Sequence, residues 1–167
     1  HIKLCDFGCS KSLYPSADFS VVVRSEPLSG PRTMTFLGSH HIMPVEMLNG
    51  SGYGVSVDWW ALGVLLYEMI VGTPPFQNEQ HLVRDKPSSS LDDYDWSLKF
   101  DSVSPFNTLS TATDTTSTGR SLLMEAKQLV CDLLHTDITR RSGIWNIYQI
   151  KNSAFLSDID FSFVDQG

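Results

Sequence analysis

The stretch "SVDWWALGVLLYEMIVGTPPF", residues 56–76, constrains the fold more than any other part of the chain. From Trp59 to Val71 it is apolar on every helical face except around Glu68. A surface helix keeps a polar stripe toward water, so this one is expected to lie buried nearly all round. Asp58 stands at an N-cap-like position. Gly72 ends the run, and Pro74-Pro75 prevents its continuation. A chain with such a helix at its centre must supply further elements to cover it.

The composition allows this. The 167 residues are 41% apolar and 19% charged, which suits one folded domain and not a disordered chain. "SLLMEAKQLVCDLL" puts Leu122, Leu123, Ala126, Leu129, Val130, Leu133 and Leu134 on one helical face. A shorter helix fits "IWNIYQIKNSAF", with Ile144, Ile147, Ile150 and Phe155 as its apolar stripe. At the N-terminus, the alternation of Ile2 and Leu4 within residues 1–5 reads as a strand. The expected fold class is mainly α, a helical bundle with a short β-strand pair at its N-terminus.

Two irregular stretches separate these elements. Residues 6–38 are turn-rich and contain "YPSAD" and "EPLSGP". A loop of that length inside a compact domain is usually functional or disordered. Residues 77–120 are polar and end in "NTLSTATDTTSTGR", a Ser/Thr-rich, low-complexity loop. The net charge of -7 argues against a nucleic-acid partner. No apolar run reaches membrane-spanning length, and no signal peptide is expected among the given residues, although a missing N-terminus could hide one. Cys5, Cys9 and Cys131 are odd in number and make no zinc spacing. They are expected to be reduced thiols in a cytoplasmic or nuclear protein.

Four motifs stand in order: "DFG" after the strand, "GSHHIMPVE", "DWWALGVLLYEMIVGTPPF" and "LLHTDITRR". Together they resemble the C-terminal lobe of a eukaryotic Ser/Thr protein kinase. The doubled Trp and "GTPPF" resemble the AGC group, which includes protein kinase A. From Gly38 to Phe76 the family pattern G-T-P-E-Y-x-A-P-E … D-W-W-x-L-G … P-P-F fits without a gap. The resemblance is weakest across residues 12–33 and 77–120.

The resemblance implies a role for each matching residue. Asp6 would coordinate the Mg²⁺ that bridges the ATP phosphates, with Gly8 allowing a sharp turn and Phe7 acting as a hydrophobic plug. Thr35 would be the activation-loop phosphosite, with Lys11 helping to bind its phosphate. Ser39 replaces the usual Thr and keeps its hydroxyl. His40-His41 replace the usual Pro-Glu; no third ligand is spaced to make them a metal site. The loss of the family's Glu at position 41 puts a preference for basic substrates in doubt. Glu68 matches an acid that contacts a substrate Arg; as a plain helix residue it would pair with an internal cation. Glu46, in "PVE" where the family has A-P-E, would pair with Arg141 of "DITRR" as a structural tie. Asp58 would accept backbone N–H bonds from the catalytic loop, or cap its own helix. Leu65 and Met69 are core residues on either view, and Cys5 is expected to be a buried, inert thiol.

A kinase also needs a glycine-rich loop, a strand Lys with its helix Glu, and a catalytic loop H-R-D-x-x-x-x-N, all N-terminal to D-F-G. None occurs in these residues. The chain therefore reads as a C-lobe fragment over residues 1–157, with an activation segment at 6–46 and a loop insertion at 107–120. Residues 158–167 would begin a C-terminal extension. The implied function is part of an enzyme that transfers the ATP γ-phosphate to protein Ser/Thr, with this chain alone inactive. The alternative is a pseudokinase or docking module. The implied partners are a protein substrate and an upstream activating kinase.

Overall fold

The computed structural model describes residues 2–13, 32–35, 38–76 and 117–164. Among these, the α-helices are α1 (Val45–Leu48), α2 (Ser56–Val71), α3 (Ser117–Leu133), α4 (Tyr148–Lys151) and α5 (Phe161–Val164). Short 3₁₀ turns occupy Phe7–Cys9, His40–Ile42, Ile138–Arg140 and Ala154–Leu156.

The apolar run forms α2. Ser56, Trp60, Gly63, Val64, Tyr67 and Val71 recur every three or four residues, share one face, and are buried. Against this face packs α3, which buries Ala126, Leu129, Val130 and Leu133. The two helices meet closely at Gly63. A Cβ added there would lie 2.8 Å from Leu133 Cβ and 2.9 Å from Leu134 Cδ2, so only a residue without a side chain fits. Trp60 stacks on Phe76 at 5.4 Å between ring centroids. Val45 from α1 and Ile150 from α4 complete the same core. At its C-terminus α2 stops on Gly72, whose φ of 83° is left-handed and whose N–H donates to the Glu68 carbonyl at 2.8 Å. Glycine adopts this conformation without a Cβ penalty.

The structure departs from the sequence reading in several places. The helix α2 is not buried all round: Leu62, Leu65 and Met69 are 37%, 52% and 68% exposed. They form a second apolar stripe that lies open, so Leu65 and Met69 are not core residues here. Asp58 does not cap the helix, because α2 begins at Ser56 and places Asp58 inside the first turn. No strand forms among the described residues. Ile2 and Leu4 are exposed, and the β-pairing consists of one isolated antiparallel bridge between Thr33 and Tyr53. A strand needs a ladder partner to satisfy its backbone groups, and residues 2–5 have none among the described residues.

The helix α3 begins at Ser117, so the end of the Ser/Thr-rich stretch is helical; residues 107–116 lie outside the described residues. Leu122 falls on its exposed side. The last expected helix is reduced to α4 and the turn Ala154–Leu156, with Ile144 and Ile150 buried and Ile147 exposed. No helix among the described residues is long and apolar enough to cross a membrane.

Candidate functional site

Three groups of residues carry the candidate site. The first is the Asp6 turn. Asp6 has φ 62° and ψ 66°, the one left-handed non-glycine among the described residues. Such a backbone costs roughly 1–2 kcal/mol for most residues, and Asp tolerates it better because its short polar side chain bonds locally. Strain of this kind collects at functional positions. After Asp6 the turn Phe7–Cys9 closes with Ser10 N–H and Oγ both donating to the Phe7 carbonyl, at 3.0 and 2.7 Å. The sharp turn is thus taken by Asp6 and not by Gly8, whose φ is not left-handed. A Cβ at Gly8 would meet Asp6 Oδ1 at 3.4 Å, an ordinary contact. Phe7 is 68% exposed and plugs nothing. Cys5 and Cys9 are exposed free thiols, so Cys5 is not buried as expected.

The second group surrounds Thr35. Lys11 Nζ donates to Thr33 Oγ1 at 2.9 Å, and Thr33 Oγ1 lies 3.0 Å from Thr35 Oγ1. Thr33 is pinned to Tyr53 by two backbone hydrogen bonds of 2.9 and 3.0 Å. The Tyr53 hydroxyl donates to the Thr35 carbonyl. Thr35 itself is exposed. The sequence reading singled out Lys11 and Thr35 and missed Thr33 and Tyr53. No pattern in the residues marks these two, because their partners are 20 or more positions away. Ser39 and His41 are exposed nearby in sequence, and the Ser39 carbonyl accepts from Ile42 N–H at 3.1 Å.

The third group is a buried clamp. Arg141 Nη1 lies 2.6 Å from Glu46 Oε1, and Arg141 Nη2 lies 3.1 Å from Glu46 Oε2. Nη1 also donates to the Ser56 carbonyl at 2.9 Å, and Nε to the His135 carbonyl at 3.0 Å. Four of the five guanidinium N–H groups are thereby used. Ser56 Oγ donates to Glu46 Oε1 at 3.2 Å, and the guanidinium sits 5.0 Å from the Trp60 ring centroid. One cation therefore joins α1, the start of α2 and the segment that follows α3. The turn that delivers Arg141 is shaped by Asp137, whose Oδ1 accepts from Thr139 Oγ1 at 2.7 Å and Thr139 N–H at 2.8 Å. The Thr139 hydroxyl bond is the main reason the Asp137 carboxyl is held below its ordinary pKa.

Two acidic residues stand apart from these groups. Asp58 is exposed as a residue, yet partial burial of its carboxyl raises its pKa. Glu68 is exposed on α2, beside Met69 of the open stripe. Among the described residues no group of three or more His, Cys, Asp or Glu could hold a metal ion. Asp6 offers one exposed carboxylate, which fits Mg²⁺ only as a single ligand beside phosphate and water oxygens.

An Asp-Phe-Gly turn, a threonine held beside a lysine, and a buried Arg–Glu tie are the features among the described residues that coincide with the kinase-like motifs of the sequence. The protein kinase domain family matches residues 1–156, and the chain belongs to that family. It is 35% identical over 161 residues to the serine/threonine-protein kinase gad8 of Schizosaccharomyces pombe, covering 96% of this chain and 22% of that protein. With the serine/threonine-protein kinase YPK1 of Saccharomyces cerevisiae the identity is 34% over 166 residues, covering 96% and 18%. With protein kinase C zeta type of Oryctolagus cuniculus it is 30% over 170 residues, covering 99% and 24%. These relatives are Ser/Thr kinases of the AGC group. The chain spans 18–24% of the length of the three.

Proposed function

We propose that this chain is the C-terminal-lobe part of an AGC-type Ser/Thr protein kinase that phosphorylates protein substrates. Residues 6–46 act as its activation segment, and residues 158–167 begin a C-terminal extension. The observation that carries the reading is the Glu46–Arg141 tie, which joins the end of that segment to the helical core. Kinases of this family use ATP with Mg²⁺, which neutralises charge developing on the transferred phosphoryl group. Asp6 contributes one carboxylate to that ion. Thr35 is the regulatory phosphosite, received by Lys11, and an upstream kinase modifies it. Ser39 keeps the hydroxyl of the usual Thr. Glu68, exposed on α2, is available to a substrate cation.

Alone, this chain should not transfer phosphate. Positioning and electrostatic stabilisation supply nearly all phosphoryl-transfer catalysis, and the residues present contribute one metal ligand and no general base. A radiolabelled ATP assay on the purified chain, with Asp6→Ala as control, tests this. Transfer above the control would overturn the claim of inactivity. In the intact protein, transfer lost on Asp6→Ala supports the enzyme. Full protein–protein binding with no transfer would favour the docking-module reading, to which the replacements at Ser39, His40 and His41 lend weight.

A further inference from the structure

We infer that Thr33 is a positioning residue for Thr35: its hydroxyl holds the Lys11 ammonium beside the Thr35 hydroxyl before any phosphate is present. The inference rests on reading Thr35 as the modified residue.

Lys11 and Thr33 are 22 residues apart in sequence and 2.9 Å apart at Nζ and Oγ1. The Thr33 hydroxyl has two lone pairs and one proton. The Lys11 ammonium and the Thr35 N–H, at 2.9 and 3.4 Å, approach it as donors. Its proton is then directed at Thr35 Oγ1, 3.0 Å away. Thr33 is only 6% exposed and cannot drift, because its N–H and C=O both bond to Tyr53. The neighbouring Thr35 carbonyl is anchored by the same tyrosine's hydroxyl. The anchored residue therefore faces inward with a cation on its hydroxyl, while the residue two positions on faces water and is open to modification.

This arrangement has a chemical consequence. A lysine side chain free in water loses many rotamers when it binds a phosphate. Lys11 has already lost them to Thr33. A phosphate at Thr35 therefore meets an ammonium one hydrogen-bonded step away, and charge-assisted bonding needs only a short transfer from the hydroxyl to the phosphate oxygens. Without the Thr33 hydroxyl, Lys11 keeps its charge but loses its post, and its effect on the phosphate should fall toward that of any solvated lysine.

The test is a ³¹P NMR pH titration of the full chain carrying phosphothreonine at position 35, made by semisynthesis. The reference is a phosphopeptide of the surrounding residues. Expected is a second ionisation lower than the peptide's, lost in Lys11→Met, largely lost in Thr33→Val, and kept in Thr33→Ser. Far-UV circular dichroism checks folding, and Thr33→Ala serves if Thr33→Val misfolds. A midpoint unchanged by Thr33→Val or Thr33→Ala, but moved by Lys11→Met, would overturn the role of Thr33 and leave the Thr35 reading standing. A wild-type midpoint equal to the peptide's, insensitive to Lys11, would overturn both.

Discussion

Arg141 and Glu46 form a two-pronged ion pair across 95 residues of sequence, with both side chains out of contact with water. Leaving either charge without its partner in that interior typically costs roughly 3–5 kcal/mol. Glu46→Ala and Arg141→Ala should each destabilise the chain strongly, and the double variant should cost far less than their sum. Urea melts of the four proteins measure the coupling. Additive losses would mean that the pair contributes nothing as a pair.

Gly63 sets the spacing of the two main helices. Alanine there would drive its Cβ to 2.8 Å from Leu133 Cβ and 2.9 Å from Leu134 Cδ2. Overpacking of this kind costs about 1–3 kcal/mol. Gly63→Ala should lower the urea midpoint without changing the slope. An unchanged midpoint would show that α2 and α3 part freely.

The raised pKa of Asp58 implies a pH dependence of definite sign. The folded chain holds the Asp58 proton more tightly than the unfolded chain does. Ionising this group therefore costs stability as pH rises from the ordinary carboxyl range through the raised value. Asp58→Asn should raise the melting temperature at neutral pH and leave it unchanged at about pH 3, where both forms of the residue are neutral. Lower stability of Asp58→Asn at neutral pH would show that the carboxylate makes a favourable contact as the first-turn acid of α2.

The open stripe of Leu62, Leu65 and Met69 should bind a hydrophobic dye. Leu65→Gln with Met69→Gln should reduce the fluorescence several-fold. Each change should alter stability by no more than about 0.5 kcal/mol, since neither side chain is in the core. Dye binding that survives both changes would place the apolar surface elsewhere on the chain.

Much of this was legible in the residues themselves. The existence of α2, its stop at Gly72 and the buried stripe of α3 follow from periodicity and local backbone chemistry. Each is decided within a few residues of chain, so the sequence alone can state it. The Glu46–Arg141 pairing was readable too, but only because four motifs in order resembled a family with a known tie at those positions.

Other features were decided only when the chain closed on itself. The run 59–71 is apolar on nearly every face, so hydrophobicity could not say which face meets α3; Gly63 did, by allowing Leu133 and Leu134 to approach it. Asp-Phe-Gly names a turn without saying which residue takes the strain, and Asp6 takes it. Thr33 and Tyr53 stand in no motif that the sequence analysis singled out. Their roles arise from contacts with partners 20 or more positions away, Tyr53 for Thr33 and Lys11 for Thr33 in turn. Propensity acts between neighbours in sequence, whereas a hydrogen bond acts over about 3 Å of space. Only the folded backbone determines which distant residues come within that reach.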